Sequence, residues 1–258
     1  MNWAALDLTI LGPAFVAGLL VVSTHVPLGQ RVLARGIIFL DLALAQIAGL
    51  GLIAAHSFDW EPGGWQVQAV ALTAALAGAM ALHFTEKQWP QLQEALIGTL
   101  FVLASSGGIL LLANNPHGGE HLRELLVGQI LWVGYEQLTP VALLYATVLS
   151  LGFMLRQHAS SLPFYLLFAL SITASVQLMG VYLVFATLII PALAIRDWGP
   201  KGLFWGYAIG ISGYGLGLLL AALLDMPAGA MIVYTLAGSA LLFRWYLRRS
   251  QNAAHPSP

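Results

Sequence analysis

The sequence predicts an all-α, polytopic integral membrane protein of about nine transmembrane helices plus one partial or re-entrant helix. Residues 1–258 form a single transmembrane domain that ends in a short disordered tail at 250–258. Three observations predict it. Hydrophobic residues make up 59% of the chain and charged ones only 8%, too few to cover a soluble domain of this size. The apolar residues are gathered into long runs with almost no charge. Nine of the ten Lys and Arg residues fall between those runs in loops that emerge on one side.

A hydrocarbon core about 30 Å thick needs roughly 20 apolar residues in helix, because every backbone polar group must be satisfied inside the segment. On that measure spans fall near 8–26, 36–55, 65–84, 92–113, 139–156, 162–178, 180–195, 202–224 and 228–246. The run 162–195 is continuous and would overshoot the bilayer unless it turns, and Gly180 is the expected break. The stretch 122–137 is shorter and bracketed by His121, Arg123, Glu124 and Glu136, so it is read as a partial helix that returns to the side it left.

Alternate loops then sort by charge. Arg31, Arg35, Lys87, Arg156, Arg196, Lys201, Arg244, Arg248 and Arg249 share one side, and only Arg123 lies on the other. By the positive-inside rule the first side is cytoplasmic, which puts the N-terminus outside and the C-terminus inside. Trp3, Trp60, Trp65, Trp89, Trp198 and Trp245 fall at span ends, where an interfacial aromatic belt belongs. The first apolar run is too long and too poorly flanked for a cleaved signal peptide, and no loop is long enough for a soluble domain. The absence of cysteine excludes disulfides and thiolate metal ligands, and a net charge of −1 gives no sign of nucleic-acid binding.

Few polar groups are expected at membrane depth. Asp41 falls about a turn and a half into the second span and Gln46 near its middle, five residues apart and only loosely on one face. Gln129 in the partial helix, with Thr173, Ser175 and Gln177, could line a polar path or bond between helices. Asp41 could equally pair with Arg35 near the boundary. The glycines, among them Gly49, Gly51, Gly108, Gly210, Gly213 and Gly217, suit closely packed helices.

On the outer side, His117, Glu120 and His121 place two imidazoles and a carboxylate within five residues. In a chain without cysteine these are the groups available to zinc or manganese. Their spacing also fits a His-x-x-Glu-His pattern, which requires a continuous helix, and Pro116-His117-Gly118-Gly119 points instead to a solvated loop. No Gly-x-x-x-x-Gly-Lys run is present, and no span carries paired carboxylates or a Ser/His arrangement, so an enzyme is not expected.

Several segments taken in order resemble the permease subunits of zinc/manganese/iron ABC importers. Pro27-Leu28-Gly29 and the run to Gly51 look like the stretch linking that family's first two helices. Glu94-Ala95-Leu96-Ile97-Gly98 is similar to its acidic-Ala-x-x-Gly signature, and Leu126-Val127-Gly128 to its Leu-Phe-Gly partial helix. Val176 through Arg196, with Leu188-Ile189-Ile190-Pro191-Ala192, and Asp225-Met226-Pro227-Ala228-Gly229 match two further motifs.

The resemblance implies a plasma-membrane permease that imports zinc or manganese as its transported ion, holds no tightly bound cofactor and hydrolyses no ATP itself. It also implies a homodimer working with an ABC ATPase subunit and an extracytoplasmic metal-binding protein in a bacterial inner membrane. Asp41, Gln46, Gln129 and Gln177 then fall on the transport route, with His117, Glu120 and His121 facing the metal donor. The chain departs from the pattern where the family offers an Asp and a His to the ion, since Leu42 and Gln46 stand there and Gln129 follows the partial-helix glycine. Its loop Gln157-His158-Ala159-Ser160-Ser161 is also too short for the family's ATPase-docking helix, and no other ATPase contact is assigned. A permease-fold facilitator, or a scaffold subunit without an ATPase, is the alternative.

Overall fold

A computed structural model describes residues 7–56, 64–113, 118–155 and 161–254. Within these the chain is helical and contains no strand. The helices are α1 (Leu8–Arg35), α2 (Leu40–His56), α3 (Trp65–Gln88), α4 (Gln93–Leu112), α5 (Gly118–Val127), α6 (Tyr135–Met154), α7 (Leu162–Met179), α8 (Val181–Ala194), α9 (Gly202–Leu224) and α10 (Ala228–Ala254). Seven of them (α1, α3, α4, α6, α7, α9 and α10) are long and apolar enough to cross a bilayer, and α2 and α8 are shorter apolar helices. These nine correspond one for one to the expected spans. The chain is an all-α polytopic membrane protein.

The element boundaries differ from expectation in instructive ways. The first helix does not end near residue 26 but runs through Pro27, Leu28 and Gly29 to Arg35, so those residues are helix rather than linker. Proline at 27 frees the carbonyl four residues earlier, and the Tyr207 hydroxyl donates to that oxygen, Ser23 O, at 3.4 Å. At 28 residues the helix is about 42 Å long, more than the hydrocarbon needs. Helix α10 likewise continues through Ala254, into the stretch expected to form a tail, and residues 255–258 lie outside the described ones.

The expected partial helix over 122–137 is two pieces. Helix α5 starts earlier, at Gly118, and stops at Val127, because Gly128 takes a left-handed φ of 68°. One 3-10 turn follows over Ile130–Trp132, and α6 begins at Tyr135. Glycines 118 and 119 do not keep the helix from forming, so Glu120 and His121 are helical, contrary to the loop reading. Ten residues rise only about 15 Å, so α5 cannot cross.

Gly180 breaks the long apolar run as expected. It has φ 80° and ψ 162°, with α7 ending at Met179 and α8 starting at Val181. The α9–α10 turn falls where the expected spans leave it, with Gly229 already inside α10. Asp225 closes α9 with φ 54°, and the Met226 N–H reaches back to Ala221 O at 3.0 Å, a Schellman-type stop.

The chain divides into two compact units. One comprises residues up to Ala34, Ile130–Leu138 and the chain from Ala186 on; the other comprises Arg35–Gln129 and Thr139–Phe185. In the first unit α9 packs on α1 and α10 through glycines. A Cβ at Gly210 would lie 2.6 Å from Val22 Cγ1, and one at Gly217 would lie 2.6 Å from Ile232 Cα. The Tyr214 ring fills the space beside Gly18, and its hydroxyl bonds Thr187 Oγ1 at 2.8 Å. At one end Arg244 Nη1 donates to Asp197 Oδ2 at 2.9 Å, and Arg196 Nε donates to Asp197 Oδ1 at 3.2 Å. In the second unit α2 packs between α3, α4 and α7. Gly51 sits against Ala74, and Gly78 against Ile47. Tyr145 of α6 and Ser175 of α7 share a buried hydroxyl–hydroxyl bond of 2.5 Å.

Candidate functional site

The polar residues of interest gather at the two ends of the second unit. One end is built on a contact between two glycine backbones. Gly128 follows α5 and Gly180 follows α7, and both have positive φ. They approach so closely that a Cβ on Gly180 would lie 2.6 Å from Val127 C, and one on Gly128 would strike the Met179 carbonyl. Only glycine suits both positions, for the backbone angle and for the space. This contact fixes Gln129 one residue beyond one glycine and Gln177 three residues before the other.

Gln129 does not stand alone there. Its Nε2 donates to Glu124 Oε1 at 2.9 Å, so a carboxylate occupies the neighbourhood where the chain has an amide in sequence. Glu124, Gln129 and Gln177 are all exposed. On α7, one turn before Gln177, Thr173 is buried and its hydroxyl meets no partner among the described residues. Ser175 is buried too but partnered: it donates to Ser171 O at 2.6 Å and bonds Tyr145 of α6. That makes Ser175 an interhelical tie.

His117 lies outside the described residues, and of His121 only the helical backbone is described. Glu120 is exposed in the first turn of α5. Among the described residues no three His, Asp or Glu groups converge as a metal site.

The other end carries Arg35, Lys87 and the start of α2. Asp41 does not lie a turn and a half into its helix. Helix α2 starts at Leu40, so Asp41 occupies the first turn. It is 1% exposed, and its Oδ1 meets no hydrogen-bond partner among the described residues. Gln46, five residues on, is 4% exposed. Asp41 makes no ion pair with Arg35, whose Nη1 lies 3.4 Å from Glu86 Oε1 and whose guanidinium stacks 4.4 Å over the Phe164 ring.

Glu94 holds the start of α2 from outside. It stands in the first turn of α4, and its Oε1 accepts the Phe39 N–H at 3.3 Å. That is among the donors that a helix N-terminus leaves unsatisfied. At its own helix N-terminus its charge suits the macrodipole, and from there it also caps a second helix. Sequence reasoning missed this, and the only signal was Gly36, whose φ of 69° turns the chain just before α2. Beside it Gln93 ties three helices together: its Nε2 donates to Leu82 O at 2.8 Å and to Tyr165 Oη at 3.0 Å, and its Oε1 accepts from Thr85 at 2.9 Å.

The model of the ABC 3 transport family matches residues 7–164 and 155–246, nearly the whole chain. This chain belongs to the ABC 3 transport family. Two relatives are each called a probable metal transport system membrane protein. That of Chlamydia trachomatis is 26% identical over 210 residues, and that of Chlamydia muridarum 25%; each alignment covers 73% of this chain and 71% of the relative. An uncharacterized membrane protein of Synechocystis is 26% identical over 95% of this chain and 93% of its own length. The solved structure of PsaBC from Streptococcus pneumoniae in complex with Fab superposes with a TM-score of 0.75. That match covers 97% of this chain and all of the other at 18% identity, a likeness of fold. The motifs around Glu94, Gly128, Gly180 and Pro191 thus belong to an ABC 3 transport scaffold. Its capped α2 entry and paired glycine turns are the features best placed to hold polar groups in fixed positions.

Proposed function

We propose that this ABC 3 family member is the membrane-spanning permease of a divalent-metal importer, with zinc or manganese as its cargo. It would sit in a bacterial inner membrane with the N-terminus outside and the basic loops in the cytosol. It would act as a homodimer with a separate ATPase and an extracytoplasmic metal-binding protein. The observation that carries this reading is the family match over both halves of the chain, supported by relatives called metal transport proteins over most of their length.

On this reading a cation delivered at the outer face meets His117, Glu120 and His121, then the Glu124–Gln129 pair by the glycine contact. Gln177, Gln46 and Asp41 follow along the second unit. Neutral amides strip water from a divalent ion poorly, so the carboxylates would provide the main attraction. A strain lacking the gene should lose cellular manganese or zinc and regain it with the wild-type gene; unchanged contents of both metals would refute import.

A second reading has one specific observation behind it. Helix α6 ends at Met154 and α7 begins at Leu162, leaving no room for an ATPase-docking helix between them. A permease-fold facilitator or scaffold would then purify from mild detergent without an ATPase, whereas the importer should retain one.

A further inference from the structure

We propose that Asp41 and Glu94 together form a cation site at the N-terminus of α2, binding a hydrated divalent metal ion through one oxygen of each carboxyl group. The inference rests on the importer reading and deepens it by giving the cargo a carboxylate-only stop at the basic end of the second unit.

Both carboxyl groups belong to the entry of α2. Glu94 reaches across from α4 to the Phe39 N–H, and Asp41 lies two residues further along the same turn. The Phe39 bond occupies Glu94 Oε1. Glu94 Oε2 and Asp41 Oδ1 are buried and meet no hydrogen-bond partner among the described residues. Asp41 as a whole is 1% exposed.

Nearby cationic side chains do not supply the missing partner. Arg35 is committed to Glu86 and Phe164, and among the described residues neither Asp41 nor Glu94 takes part in an ion pair. From α3, His83 Nδ1 bonds Ser161, and from α7 the Tyr165 hydroxyl accepts from Gln93. The positive end of α2 is the other cationic influence there, equivalent to roughly half an elementary charge. An oxygen-only position remains. Hard divalent ions such as Mn²⁺ suit it, since such ions are held by one or two carboxylates while keeping several waters. Two ligands from protein make for weak retention, which suits passage more than storage.

The test uses the full-length chain purified in detergent, in a background carrying His117→Ala, Glu120→Gln and His121→Ala so that the outer loop contributes nothing. Free Mn²⁺ is followed by electron paramagnetic resonance, and thermal unfolding is recorded with and without Mn²⁺. The background protein should bind Mn²⁺ saturably and unfold at higher temperature in its presence. Asp41→Asn and Glu94→Gln should each weaken binding at least tenfold and remove the thermal shift. Glu94→Gln keeps an oxygen for the Phe39 N–H, so it carries the test if Asp41→Asn does not fold.

Undiminished Mn²⁺ affinity in a folded variant would overturn the site, and so would the absence of Mn²⁺ binding to the background protein. The latter is the result expected of carboxyls that take only a proton or merely cap the helix. Failure of the importer reading shows elsewhere, in unchanged metal contents of the deletion strain, and leaves a Mn²⁺ signal in the purified chain intact.

Discussion

Single residues decide most where the backbone has least freedom. Gly180 combines a positive φ with a neighbouring backbone that leaves no room for a Cβ. Gly180→Ala should therefore destabilise by about 2–3 kcal/mol, from strain plus displacement of Gly128. Thermal unfolding in detergent checks this, and a shift no larger than that of Gly98→Ala, where a Cβ meets nothing within 4 Å, would contradict it. Asp197 offers a pH test. The Arg244 hydrogen bond chiefly, with Arg196, holds its carboxyl below the ordinary 3.8 although the group is exposed. Because the folded state favours the ionised form, the stabilisation is present above that value and is lost as pH falls through the lower folded one. Wild type and Asp197→Asn should differ in unfolding temperature near neutrality and converge in acid, with a small gap that salt narrows. The break at Gly180 was legible in sequence because a run of that length must turn. Its pairing with Gly128 was not, because the two glycines are 52 positions apart and nothing local marks the contact.

At the scale of elements, hydropathy locates helices better than it ends them. Apolar runs located the seven long helices and the two shorter ones, α2 and α8, but α1 continues through Pro27 because Tyr207 bonds the carbonyl that proline frees. Helix α5 begins at two glycines because Gly is tolerated in a first turn where the backbone donors are unpaired anyway. Asp41 moved to a first turn for a related reason: Gly36 and the Glu94 cap start α2 later than hydropathy does. The glycines of α9 were legible as packing residues, though not their partners. Gly217→Val should separate α9 from α10, since its Cβ alone would lie 2.6 Å from Ile232 Cα and 2.7 Å from Thr235 Oγ1. The expected outcome is a loss of about 2–4 kcal/mol or failure to accumulate in the membrane, with Gly238→Ala, on an open face, as the silent control. Immunoblotting of membrane fractions distinguishes the two.

For the whole molecule, the charge bias carries the orientation. A reporter fused after Ala254 should be active only on the cytosolic side, and one fused at the N-terminus only outside; the reverse pattern would exchange the two faces. Sequence by itself determined the solvent, the helical class, the places of the apolar helices and the family. These follow from composition and from motifs, which are additive along the chain and survive small errors of register. Tertiary structure alone decided which polar groups share a place: Glu94 over the start of α2, Glu124 beside Gln129, Gly128 against Gly180. Each joins residues distant in sequence, and each depends on ångström-level approach of two backbones or on the direction of one side chain. Neither hydropathy nor spacing encodes those.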